Sequence, residues 1–126
     1  MKHLFISFLL ISVFFIACKN DSQVDIVKPV HSATLQVTVL YTDTTGGGSV
    51  VKPLSGVTIY LYLSASDRAN SQNVKYTKVV TDSGKASFTQ LPDDYYYILA
   101  SHPTRGSHES ETATPNNSTS YEEIDY

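Results

Sequence analysis

The stretch Thr34-Leu35-Gln36-Val37-Thr38-Val39 alternates polar and apolar residues without a break. A period of two puts Leu35, Val37 and Val39 on one face, which a helix cannot do; the segment therefore predicts a half-buried β-strand. The same period returns in Val57-Thr58-Ile59-Tyr60-Leu61-Tyr62-Leu63. Here Val57, Ile59, Leu61 and Leu63 are expected inward, and Thr58, Tyr60 and Tyr62 outward. Ala86 and Phe88 alternate with Ser87 and Thr89 in the same way, and Tyr95-Tyr96-Tyr97-Ile98-Leu99-Ala100 reads as another strand. After residue 18 no segment carries a helical period.

Punctuation between these runs is that of a β-protein. Gly46-Gly47-Gly48 reads as a flexible loop, and Asp82-Ser83-Gly84-Lys85 and Leu91-Pro92-Asp93-Asp94 read as turns. Ser64 to Asn73 is polar and predicts a loop or a single turn of helix. Val74 to Thr81 is rich in β-formers, but adjacent Val79 and Val80 leave its facing open. His102 to Asn117 is full of Ser, Thr, Pro and charge, and predicts a long loop. Ser118 to Tyr126 predicts the last strand, whose Glu122, Glu123 and Asp125 would discourage pairing at an edge. The sum is an all-β chain: one antiparallel sandwich of about seven strands over residues 33–126.

The N-terminus is different in kind. Met1-Lys2-His3 is followed by Leu4 to Ala17, apolar except for Ser7 and Ser12. That run is too short to span a bilayer, which takes about 20 apolar residues, and has the size of a signal-peptide core. It ends at Cys18, the only cysteine among 126 residues. A single cysteine excludes an internal disulfide and a Cys-rich zinc site. The net charge of -3, with no cluster of Lys or Arg, argues against a nucleic-acid partner.

Phe15-Ile16-Ala17-Cys18 resembles a bacterial lipobox, in which the thiol takes a diacylglycerol and the chain is cut before it. The resemblance implies a signal peptide over 1–17, Cys18 as acylated first residue, and a tether over 18–32 that includes Pro29. With the two or three acyl chains such lipoproteins carry, at about 0.8 kcal/mol per buried methylene, the protein would be held firmly on a membrane without crossing it. Lys19-Asn20-Asp21 is similar to the export signal of Bacteroidota surface lipoproteins. The expected location is the outer membrane, on the cell surface or the periplasmic face.

Three further segments resemble one fold family. They are Pro53-Leu54-Ser55-Gly56-Val57-Thr58-Ile59, Thr81-Asp82-Ser83-Gly84-Lys85-Ala86-Ser87-Phe88, and Leu91-Pro92-Asp93-Asp94-Tyr95-Tyr96-Tyr97-Ile98. In order, they look like the transthyretin-like (prealbumin-like) sandwich of carboxypeptidase regulatory domains and collagen-adhesin B-type repeats. That resemblance implies Tyr96, Ile98 and Ala100 in the core, with Tyr95, Tyr97 and Leu99 on the other face. It implies positive φ at Gly84 and tolerance of αL at Asp94, where the family has glycine. The Lys–Asn isopeptide bond of many adhesin repeats is not expected, because the first strand has no lysine and the last no asparagine.

Candidate chemistry is sparse. His102, His108, Glu109 and Glu111 are close in sequence, but no fixed spacing makes them a metal site. No nucleophile–base pair, G-x-S-x-G elbow or phosphate loop is present, so no enzyme, metal or cofactor is expected. Asp43-Thr44-Thr45 is similar to the short O-glycosylation motif of Bacteroidota, with Thr44 as acceptor. Tyr60, Tyr62, Tyr95 and Tyr97 are expected off the core face, and together they could form an exposed aromatic platform for a sugar. Two roles follow: a non-catalytic envelope lipoprotein acting as a structural or protein-interaction module, or a carbohydrate-binding module built on the four tyrosines.

Overall fold

A computed structural model describes residues 30–126. Signal peptide, lipobox and Cys18 lie outside the described residues. Eight strands and one short helix follow in order: β1 Ala33–Asp43, β2 Val50–Pro53, β3 Thr58–Tyr62, α1 Ala65–Ala69, β4 Tyr76–Val79, β5 Lys85–Leu91, β6 Tyr95–His102, β7 Gly106–Ala113 and β8 Thr119–Asp125. They form two sheets. In the first, β1 is central, with β8 along one side and β5 and β2 end to end along the other. The second has the order β4-β3-β6-β7.

The inward faces of the period-two strands make the core. Leu35, Val37 and Val39 of β1, Ile59 and Leu61 of β3, and Tyr96, Ile98 and Ala100 of β6 are wholly buried, with Val57 and Leu91. Ala33, Leu54, Val80, Ala86, Phe88 and Ile124 complete the cluster. Each fully buried large side chain of this kind contributes about 1.5–3 kcal/mol over its exposed state. Val80, buried, and Val79, 61 % exposed, settle the facing of β4.

Gly84 takes the positive φ expected of it, +73°. A Cβ there would lie 2.7 Å from both Pro53 Cβ and the Val39 carbonyl oxygen, so the turn needs glycine for space as well as for backbone freedom. Asp94 does not adopt positive φ, and the turn keeps ordinary geometry there; in this region it is Gln90 that does, at +57°.

Three expectations are corrected. β7 occupies Gly106 to Ala113, inside the segment expected to be a long loop, and with β2, also not read as a strand, brings the strands to eight. It carries no apolar period because it pairs only with β6 and is mostly exposed. Its backbone ladder, not burial, holds it. The sandwich is also not antiparallel throughout: β8 runs parallel to β1, from Thr34 opposite Thr119 to Leu40 opposite Asp125. The chain reaches that position by crossing from one sheet to the other after β7. Thr114, buried, anchors the crossing through its hydroxyl to Asp93 O (2.6 Å) and its amide to Asp94 O (2.7 Å). Leu63, expected inward, lies past the end of β3 and is exposed.

The chain docks onto the domain ahead of β1. His31 Nδ1 lies 3.0 Å from Leu91 O, and Nε2 lies 2.7 Å from an Asp94 carboxylate oxygen. The Ser32 amide donates to Asn116 Oδ1, and the Asn117 amide donates to Ser32 O. His31 and Ser32, expected in the tether, are thus bonded to the sandwich.

Candidate functional site

β3 and β6 are neighbours, and their register sets Tyr62 opposite Tyr97 and Tyr60 opposite Leu99. Because side chains alternate along a strand, Tyr60, Tyr62, Tyr95 and Tyr97 share the outer face of this sheet. Sequence reasoning placed all four off the core face. It missed what lies over them. Polar residues after β3 form α1, capped by the Ser64 hydroxyl, which accepts from the Asp67 amide at 3.1 Å. The Asp67 carboxylate accepts from Asn73 and Ser64, and these bonds hold it below its usual range.

This helix packs on β3 and β6. Tyr62 is 1 % exposed, which corrects the expectation of four exposed rings. Arg68, on the helix, reaches across the face. Its guanidinium sits 5.5 Å from the centre of the Tyr97 ring, donates from Nη1 to Ser110 O at 2.6 Å, and pairs through Nη2 with Glu109 at 2.9 Å. A cation on an aromatic face and a charge-assisted bond to a carbonyl are both favourable in this half-buried setting. Tyr95, 40 % exposed, meets Tyr97 edge-on with ring centres 5.4 Å apart. Partial burial, then the neighbouring Glu111 carboxylate, pushes the Tyr95 hydroxyl above its usual ionisation range. The face is thus a helix-covered aromatic cluster, with Tyr95 at its open end and Tyr60 half-buried beside it.

His108, Glu109 and Glu111 are strand residues of β7, not loop residues. Neighbours on a strand point to opposite faces. His108 lies against Tyr126, ring centres 4.3 Å apart, while Glu109 is held by Arg68. His102, at the end of β6, accepts at Nδ1 from the Thr104 amide. Among the described residues no three His, Cys, Asp or Glu side chains converge on one point.

Asp43 and Thr45 make a closed turn at the β1–β2 loop. The Asp43 carboxylate accepts from the Thr45 amide (2.9 Å), the Thr45 hydroxyl (2.6 Å) and Lys52 Nζ (2.6 Å). The Lys52 and Thr45 bonds keep this carboxyl well below the usual carboxylate range. Thr44 is exposed between them.

Two residues that organise the surface were missed in the sequence. Arg68 lay in a stretch without a pattern, and only the helix gives it a target. Tyr126 follows β8; its hydroxyl donates to Ala100 O at 2.9 Å and its amide to Leu40 O at 3.0 Å, tying the two sheets together. Its place one residue past Asp125, on the alternation of β8, was the available signal.

No protein-family model matches the sequence, and no curated protein matches it significantly. Solved structures do match in fold. A minor pilin of Streptococcus agalactiae superposes with a TM-score of 0.55 at 16% identity, over 75% of this chain and 44% of its own. The TIE protein of Bacillus anthracis superposes with a TM-score of 0.51 at 13% identity, over 75% of this chain and 16% of its own. This chain spans less than half the length of either. At such identities the likeness is one of fold, a bacterial β-sandwich.

Proposed function

We propose that this protein is a non-catalytic structural module of the bacterial cell envelope, anchored by lipid on Cys18. The observation that carries the reading is the seam at Phe15-Ile16-Ala17-Cys18, where a short apolar run meets the chain's only cysteine. Two features of the fold support it. His31 and Ser32 are already docked on the sandwich, which leaves residues 19–30 as the connection between lipid and domain. The sandwich also shares its fold with a pilin and another bacterial protein of low identity. On this reading the domain is transthyretin-like, and the protein is an outer-membrane lipoprotein of the Bacteroidota kind, on the cell surface or the periplasmic face.

The test is Cys18→Ala in the full chain. Palmitate labelling is expected to disappear, with the product unprocessed or released from the membrane fraction. Normal processing and an unchanged membrane fraction would sink the anchor.

A further inference from the structure

Charge is sorted between the two flanks of the sandwich. On one flank lie β2, β4 and β5, which carry Lys52, Lys78 and Lys85 and no acidic residue. On the other lie β7 and β8, which carry Glu109, Glu111, Glu122, Glu123 and Asp125 and no Lys or Arg. Part of this charge is used internally. Lys52 pairs with Asp43, Glu109 pairs with Arg68, and Glu122 accepts from Ser110. Lys78 and Lys85 remain exposed on the first flank, and Glu111, Glu123 and Asp125 on the second. Asp82, in the turn joining β4 to β5, is the one acid between the basic strands.

Among the described residues every strand of these flanks pairs on one side only: β2, β5 and β8 with β1 alone, β4 with β3 alone, and β7 with β6 alone. The two sheets come together at both flanks. Lys78 reaches from β4 to Ser87 O of β5, and Ser120 of β8 donates to Ala113 O of β7 at 2.7 Å. Unpaired edges are the usual sites where one chain adds to another.

Strand direction makes the flanks compatible. In the first sheet β8 runs with β1, and β5 runs against it. In the second, β4 and β6 run against β3, so β7 runs with it. A copy displaced across the strands, without rotation, therefore brings its β5 antiparallel to β8 and its β4 antiparallel to β7. Both layers continue at one junction. The register adds a matched pair: Thr38 is opposite Glu123 on one side and Lys85 on the other. These three form one row across the outer face, so the same displacement sets Lys85 of the second copy beside Glu123 of the first.

We infer that the basic β4–β5 flank of one copy docks on the acidic β7–β8 flank of a second copy of this chain, head to tail. Edge charges ordinarily oppose edge pairing, and here they do so selectively. Two acidic or two basic flanks would set like charges opposite each other, which disfavours the two-fold edge dimer. Unlike flanks attract. A heterologous contact of this kind does not close on itself and builds a row. In the joined state Lys78 exchanges its bond to Ser87 O for the facing acidic strand. The inference names a partner for the structural module proposed above and does not depend on the lipid.

The experiment is sedimentation velocity of the full chain in detergent, at low and high ionic strength. Species larger than dimers are expected to grow with concentration at low salt and to be lost at high salt, since exposed pairs are screened. Lys85→Glu and Glu123→Lys should each abolish that growth. The doubly reversed chain, K85E/E123K, should regain it, and regain would show that neither single loss comes from unfolding. A chain that stays monomeric at low salt, stops at a dimer, ignores both single reversals, or fails to recover in the double variant overturns the inference. Palmitate labelling would be untouched by any of these results, so failure here and failure of the anchor are separable.

Discussion

β6 and β7 lie side by side in the same sheet and are held by different forces. β6 alternates buried and exposed residues, and Tyr96, Ile98 and Ala100 place it in the core. β7 has no residue in the core, and Gly106-Ser107-His108-Glu109-Ser110-Glu111-Thr112-Ala113 reads as loop. It is a strand because β6 offers it a full ladder, Tyr95 opposite Ala113 through His102 opposite Gly106. Arg68 then fastens it at Ser110 O and Glu109, and Ser120 fastens it at Ala113 O. A strand held by burial announces itself in sequence. A strand held by its neighbour's backbone does not.

Substitutions on the two strands and at Arg68 test this difference. The largest effect should come from Ile98→Ala on β6, which leaves a cavity in the core and should cost roughly 2–5 kcal/mol in denaturant unfolding. A loss under about 1 kcal/mol would mean that β6 is not held as described. Arg68→Ala comes next. It leaves the Ser110 carbonyl without its charged partner and should cost about 1–3 kcal/mol. The more telling readout is hydrogen exchange: amides of β7 should speed up while those of β6 keep their protection. Equal acceleration of both strands would show that they open as one unit.

A pH titration probes β6 from another side. The Tyr96 hydroxyl is pushed above its ordinary 10.0, by burial first and then by Asp93, to which it donates at 3.1 Å. Above pH 10.0 the unfolded chain releases this proton and the folded chain holds it. Stability should therefore fall as pH rises from there toward the folded value. Tyr96→Phe should flatten that part of the alkaline limb, and an unaltered slope would assign it to other tyrosines. The smallest effect belongs to β7: Glu111→Gln should stay within about 0.5 kcal/mol of the parent.

The same division runs through the aromatic face. That Tyr60 and Tyr62 leave the core face was legible in the alternation of β3, and the family resemblance implied the same of Tyr95 and Tyr97; that the two pairs share one face waited on the pairing of β3 with β6. That Tyr62 is covered was not. Its cover is α1, whose residues have no apolar period of their own and which bears no buried residue. The helix is stabilised locally, by the Ser64 cap and the Asp67 bonds, and is drawn onto the sheet by Arg68.

The alternation along β1, β3 and β5 determined which of their residues face inward; with the turn residues around Gly84 and the lack of a helical period it pointed to a β-sandwich, while the facing of β6 was implied by the family resemblance. Each of these signals is local, written in residues two apart or in a short turn. Only the tertiary structure decided that β8 returns parallel to β1, that β7 is a strand, and that Lys and Glu collect on opposite flanks. Those depend on contacts between residues far apart in the chain, such as Thr38 with both Lys85 and Glu123, and no short window of sequence contains both partners.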